Sequence, residues 1–410
     1  MTPSATITTD LLTPLGAYLR LRGMGAASFL LESVERGRLG RSSWMGAGSR
    51  LVTFAEAESL ALPVVGYLAY DHVASLEPTV ALPAEGHALP ESRLVVAETL
   101  VRFDHGAGTA EVLAGDPEEI EGRLEAGIPW HRETRGTAGP LRRFPERERY
   151  EEMVRIVKRH IVAGDVFQCV TSQRAERPTS ASPLDVYRAL RRVNPSPYLF
   201  LLELDGVALV GSSPERLVAC ENGHASLCPI AGTTEPTEGD AERLLSSEKD
   251  RAEHVMLVDL GRNDLSRVCR GGTVRVARFM DVERFSHVSH LVSEVTGDLR
   301  DGVTAYDVLR ACFPAGTVTG APKVRAMQII SELEGYRRGP YAGAVGYVLP
   351  DGTMDTCIAL RTIVVSDGVA RLQAGAGVVS DSEPEAEHRE CLAKLAALEA
   401  AIELAEVEYV

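Results

Sequence analysis

Two acidic segments stand out for their spacing. In Glu248-Lys-Asp-Arg-Ala-Glu-His254, Asp250 and Glu253 are three residues apart. In Glu383-Pro-Glu-Ala-Glu-His-Arg-Glu390, the carboxylates Glu383, Glu387 and Glu390 recur every three or four residues, and Lys394 continues the series. That spacing projects side chains from one side of a helix. Two such faces meeting would gather several carboxylates. The result suits a hard divalent cation such as Mg2+, which takes one or two carboxylates, keeps water and engages an anionic substrate. Isolated acidic helix faces usually point to water, so the rest of the chain has to decide between the two readings.

The elements that must position these residues follow from periodicity. Tyr150, Met153, Ile156, Val157 and Ile161 recur at helical spacing and predict a helix over Arg147–Ala163. Further helices are predicted at Leu11–Leu21, Ser182–Val193, Ala241–Asp259, Thr304–Ala311, Lys323–Leu333 and Glu383–Ala405. Apolar runs bounded by Gly and Pro predict strands at Ser28–Ser33, Leu51–Phe54, Val64–Tyr70, Leu94–Phe103, Val166–Thr171, Tyr198–Leu204, Val207–Ser212, Arg216–Glu221, Ala342–Leu349, Ile358–Val365 and Val369–Ala374. Asp205-Gly206 and Asp367-Gly368 are hairpin turns. Strands joined this way imply an α+β fold with large antiparallel sheets packed with helices. Thr134–Pro140 is the best linker and divides an N-terminal region, 1–135, from a chemistry-bearing region, 145–405.

The bulk numbers exclude some classes. A net charge of -15 over 410 residues argues against a nucleic-acid surface. Seven cysteines stand singly with no CxxC pair, which reads as reduced thiols in a cytoplasmic protein and gives no zinc site. The first residues have no signal-peptide pattern, and no apolar run reaches membrane-spanning length, so no membrane partner is expected.

Between the acidic segments lie short polar and Gly-rich stretches, read as turns: Pro229-Ile-Ala-Gly-Thr233, Asp259-Leu-Gly-Arg-Asn-Asp264, Phe313–Lys323, Met354–Thr362 and Gln373-Ala-Gly-Ala-Gly377. Gly316–Lys323 fails the Walker spacing. In this order the motifs resemble the chorismate-binding enzymes, and among them most closely the large subunits (component I) of anthranilate synthases. The resemblance is strong over about 145–400. It is weaker over 28–71, through Leu30-Leu-Glu-Ser33, Arg41–Gly46 and Gly66–Asp71, and the chain is short for such a subunit.

That resemblance implies an Mg2+-dependent lyase and assigns roles. Glu253 and Glu390 match metal ligands, and Asp250 and Glu387 match acidic neighbours acting through water. Glu215 matches a general acid and His290 a catalytic histidine, with His287 as its local competitor. Tyr341 and Arg361 match positions holding the enolpyruvyl carboxylate, for which Arg has the right fork. Gly232, Thr233, Thr317, Gly375 and Gly377 match other carboxylate contacts. Lys394 matches a lysine near the metal-bound carboxylate, or is simply a surface partner of Glu390.

Two positions bear on chemistry. Gln168 stands where water-adding members of the family carry a Lys base, which favours ammonia as nucleophile. Ala231 stands where aminodeoxychorismate synthases carry Lys. The implied reaction makes anthranilate and pyruvate from chorismate. Enzymes making 2-amino-2-deoxyisochorismate or 4-amino-4-deoxychorismate are the near alternatives, and a non-catalytic tryptophan-sensing module is the distant one. No cysteine sits in a Gly-x-Cys-x-Gly elbow, so a separate class I glutaminase subunit (component II) is implied. Ser33, Asn194, Pro195, Ser196 and Tyr198 match the family's tryptophan feedback site, although Ser and Asn-Pro are also ordinary turn residues. One departure stands out: Thr234-Glu-Pro-Thr237 replaces a stretch that usually carries two arginines.

Overall fold

The computed structural model describes residues 5–33, 42–129, 139–234, 236–237, 239–284 and 289–408. Strand Tyr198–Leu204 explains the layering. Leu199 and Leu201 point to a core shared with helices, whereas Phe200 and Leu202 point to a core between two sheets. A strand buried on both faces is apolar at nearly every position, which is why this segment reads Tyr-Leu-Phe-Leu-Leu-Glu-Leu.

Among the described residues, two large sheets result, and every strand pairing is antiparallel, as the α+β reading expects. The 12-stranded sheet runs Ala5–Thr8, Thr109–Ala114, Thr99–Asp104, Ser42–Gly48, Ala27–Glu32, Tyr198–Leu204, Val207–Ser213, Thr362–Ser366, Val369–Val378, Gln168–Pro178 and Gly320–Ala321, with Arg142–Phe144 beside Gln168–Pro178. The 10-stranded sheet runs Ile230–Thr234, Ser289–Asp298, His224–Leu227, Arg216–Glu221, Met354–Ile358, Ala344–Val348, Val64–Leu68, Ser92–Val96 and Leu51–Val52, with Arg275–Arg284 on Ser289–Asp298. Helices Pro14–Leu21, Pro183–Val193 and Pro384–Glu408 cover the outer face of the first sheet. Helices Glu248–Ser266 and Ala305–Cys312 cover the outer face of the second. The layers are therefore helices, sheet, sheet, helices. Both sheets take strands from either side of the 134–140 segment: Ala27–Glu32 pairs with Tyr198–Leu204, and Val64–Leu68 with Ala344–Val348.

Several predicted elements are corrected. Leu94–Phe103 is two strands, because the chain leaves one sheet at Val96 and enters the other at Thr99. Ile358–Val365 divides likewise, with Ala359–Arg361 crossing between sheets. Ala241–Asp259 is two helices, Asp240–Ser246 and Glu248–Ser266, because the Ser247 side chain accepts the Asp250 N–H and starts a new helix. Asp259–Asp264 lies inside that second helix instead of forming a turn. Gly261 is there for closeness: a Cβ would come within 2.4 Å of Leu227 Cδ1. Gln373–Gly377 lies within strand Val369–Val378, and most of Met354–Thr362 is strand. Residues 134–138 of the predicted linker lie outside the described residues, as does His287.

Candidate active site

The site forms where strands change sheets. Strand Val207–Ser213 ends in the first sheet and Arg216–Glu221 begins in the second, so Pro214 and Glu215 span the step. Ala359–Arg361 makes the reverse crossing beside it. The two crossings are tied together: Ile358 N–H donates to Glu215 O at 3.0 Å, and Ser212 N–H to Arg361 O at 3.1 Å. Residues at such steps are released from the ladder and can face a cavity. Arg361 adopts a left-handed φ of 47° there, an uncommon conformation for a non-glycine residue.

Both crossings open on a cavity of ≈ 770 Å³. Helix Glu248–Ser266 brings Asp250 and Glu253 to it, and helix Pro384–Glu408 brings Glu387, Glu390 and Lys394. Strand Val369–Val378 supplies Gly375 and Gly377. Side chains there would collide with the site's own walls: a Cβ on Gly377 would meet Gln168 Nε2 at 2.4 Å, and one on Gly375 would meet the Tyr341 hydroxyl at 2.7 Å. Gln168, Glu215, Gly232, His290, Thr317, Tyr341 and Arg361 also line it.

Electrostatics differ sharply around this cavity. Burial pushes the Glu215 carboxyl up to about 8. The Thr317 hydroxyl opposes that rise. Burial also raises Glu253, reinforced by Asp250 and Glu390 and opposed by the amide of Gln168, which donates to Glu253 Oε1 at 3.1 Å. Glu387 is raised by burial as well. His290 is lowered by burial, and its Nδ1 lies 2.8 Å from Gly232 O, so Nδ1 carries the proton of the neutral ring. Lys394 Nζ lies 2.7 Å from Glu390 Oε1 and donates to Gly375 O at 2.9 Å. That lysine pairs with Glu390, as the surface reading expects, and it also lines the cavity. Arg361 is disfavoured by burial, and its hydrogen bonds go to neutral groups, Asn194 Oδ1 at 3.3 Å and Ser196 Oγ at 3.4 Å. A buried guanidinium so placed favours an anionic ligand.

The residues matched to a tryptophan site fall on two cavities. Asn194, Pro195 and Ser196 line the large one. Ser33 and Tyr198 line a separate cavity of ≈ 60 Å³ with Glu32, Trp44 and Tyr347. The Ser33 hydroxyl donates to Pro197 O at 2.9 Å, so one loop walls both. The backbone of Thr233 lies in strand Ile230–Thr234, whereas its side chain lies outside the described residues, as does Glu235. In the unusual loop, Arg243 donates to Thr237 Oγ at 2.7 Å.

Two features escaped the sequence reading. Lys249 lines the cavity although a lysine among acidic residues reads as surface. Arg338 is buried behind Tyr341, paired with Glu334 at 2.7 Å and 5.5 Å from the Tyr341 ring. Its position next to the Tyr341 motif was the available signal.

Fold and site together define a chorismate-binding enzyme. Residues 28–400 match the family described as chorismate binding enzyme, and the chain belongs to it. Within that family it is similar to anthranilate synthase component 1 of Thermus thermophilus, 44% identical with 98% of this chain and 97% of that one covered. The Streptomyces coelicolor anthranilate synthase component 1 is 43% identical, with 97% and 88% covered. The crystal structure of anthranilate synthase component I from Streptococcus pneumoniae superposes with a TM-score of 0.78 at 33% identity, over 97% of this chain and all of that one. The Escherichia coli isochorismate synthase MenF shares the fold, with a TM-score of 0.76 at 22% identity. The resemblance read from the motifs is borne out. Among the described residues, no helix is long and apolar enough to cross a membrane.

Proposed function

We propose that this chain is the chorismate-converting subunit of an anthranilate synthase. It adds ammonia to chorismate and releases anthranilate and pyruvate. The observation that carries this reading is Glu215, a carboxyl held neutral by burial, facing the same cavity as the carboxylates of two helices.

Chorismate is a dicarboxylate with a ring hydroxyl and an enolpyruvyl ether. Arg361 gains a charged partner when the enolpyruvyl carboxylate docks beside Tyr341. Glu215 holds a proton at neutral pH and gives it to the departing hydroxyl. An all-carboxylate set on two helices suits Mg2+. Glu253 and Glu390 would hold it, with Asp250 and Glu387 beside them. Bound there, Mg2+ would neutralise the ring carboxylate and ease loss of the hydroxyl. Among the described residues no three metal-binding side chains are already drawn together. By the family resemblance, Gln168 in place of a Lys base and Ala231 in place of a Lys amine favour ammonia as the nucleophile. Neutral His290 stands as acceptor for the ring proton lost on aromatisation.

Ammonia would come from a partner class I glutaminase. Tryptophan would inhibit from the small cavity. That cavity would have to widen, and the loop Asn194–Pro197 that Ser33 holds would then shift against Arg361. The work would be done in the cytoplasm. The test is anthranilate fluorescence from chorismate, Mg2+ and ammonium, with pyruvate measured in parallel. A 2-amino product without pyruvate would assign the chain to the enzymes that stop earlier. No turnover with tryptophan binding retained would make it a sensor.

A further inference from the structure

Behind Tyr341 lies a second chamber, of ≈ 30 Å³, lined by Arg174, Glu176, Arg371, His87 and Gln373 among others. It belongs to the same sheet face as the active cavity. In the ladder between Gln168–Pro178 and Val369–Val378, Arg174 pairs with Gln373, Glu176 with Arg371, Ser172 with Gly375 and Val170 with Gly377. Alternate residues share a face, so Gly377, Gly375, Gln373 and Arg371 form one continuous row. Its first part lines the active cavity and its last part the chamber. Gln373 and Tyr341 line both.

The chamber is cationic in an acidic protein. Arg174 and Arg371 face one carboxylate, Glu176, which also lies 3.1 Å from His87. The Arg174 guanidinium lies over two rings, 3.5 Å from the Tyr336 centroid and 4.8 Å from that of Phe144. Stacking fixes the plane and leaves the in-plane N–H groups to hold a ligand. Glu176 Oε1 is ion-paired with Arg174 Nε at 3.5 Å, too far for a well-formed hydrogen bond. Arg371 is held through Nη1 by Ser366, while its buried Nε, like that of Arg174, has no hydrogen-bond partner among the described residues. Buried donors of this kind ordinarily find an acceptor. The free space is that of two or three water-sized groups, enough for a carboxylate head or a halide.

We propose that this chamber is a binding site for a small monoanion, held by the Nε–H groups of Arg174 and Arg371. If the proposed reaction holds, the pyruvate carboxylate released beside Tyr341 is the ligand generated next to it. A halide from solution presents the same chemistry. The experiment is calorimetric titration of the full chain with sodium pyruvate and, separately, sodium chloride, in wild type, Arg371→Met, Arg174→Met and Arg371→Lys, with circular dichroism on each. Loss of one charge-assisted contact predicts binding about tenfold weaker in either Met variant, with Arg371→Lys partly restoring it. Pyruvate binding with chloride competing identifies the product carboxylate, and chloride binding alone identifies a halide site. Either supports the anion site. Binding unchanged in both folded Met variants, or no anion bound by wild type, overturns it. No turnover enters the measurement, so failure of the anthranilate synthase reading would not imitate failure of this one.

Discussion

Replacing Glu215 with Gln should abolish turnover and at the same time stabilise the protein, by an amount set by pH. Burial raises this carboxyl from 4.5 to about 8. Between those values the unfolded chain has lost the proton and the native protein has kept it. The native state then binds more protons than the unfolded one, so stability falls as pH rises, by ~1.4 kcal/mol per pH unit. At pH 7 the cost is on the order of 3 kcal/mol, and it levels off above pH 8 at up to ~5 kcal/mol as an upper bound. A neutral amide of similar shape escapes this cost. With an unfolding entropy of ~2.1 cal/mol/K per residue over the whole chain, ~3 kcal/mol corresponds to about 3.5 °C in melting temperature. The assay is a set of thermal melts of wild type and Glu215→Gln from pH 4 to pH 9. The two should coincide near pH 4 and separate progressively to pH 8. A difference in melting temperature that does not change with pH would refute the claim that Glu215 is neutral in the native protein. Retained anthranilate formation in the variant would refute its role as acid.

Three further outcomes are expected. Glu253→Gln and Glu390→Gln should each nearly abolish turnover with the fold intact, as read by activity across an Mg2+ titration alongside circular dichroism; near-normal rates at limiting Mg2+ would remove that residue from the metal site. Because burial lowers His290, the acid limb of the kcat profile should fall below the ordinary histidine value near 6.5, and His290→Asn should lose that limb together with most of kcat. Ser33→Leu fills the small cavity and deletes the bond to Pro197 O, so tryptophan inhibition should be relieved with turnover spared, at a binding cost of roughly 1–3 kcal/mol; absence of tryptophan binding to wild type in calorimetry would end the regulatory reading.

Local periodicity made the helices legible. Arg147–Val162 carries its apolar stripe in plain sight, and the carboxylate spacing on Glu248–Ser266 and Pro384–Glu408 marked Asp250, Glu253, Glu387 and Glu390, which line the cavity, although Glu383 does not. What stayed hidden was where the chain changes layer. Leu94–Phe103 and Ile358–Val365 read as single strands because both sheets offer apolar surroundings, so crossing between them leaves no polar break. The second of those unmarked steps holds Arg361, beside the Pro214–Glu215 step that holds Glu215. Glycine misled for a related reason. Gly261, Gly375 and Gly377 read as turns but serve close approach inside regular elements, which is a property of the opposing residue and so not written locally. The division of a tryptophan-like motif between two cavities could not be read either, since Asn194–Tyr198 is contiguous in sequence and only the fold gives the loop two sides.

The pairing of Ala27–Glu32 with Tyr198–Leu204, and of Val64–Leu68 with Ala344–Val348, limits how this chain can be cut or recombined. A fragment beginning after the 134–138 segment would expose two long apolar strand edges in place of its native partners, and such edges template self-association. Exchange of N-terminal halves between relatives would have to preserve two ladders at once, in register and in side-chain volume. The two halves of this chain therefore fold as one block, open to point substitution and closed to exchange of parts.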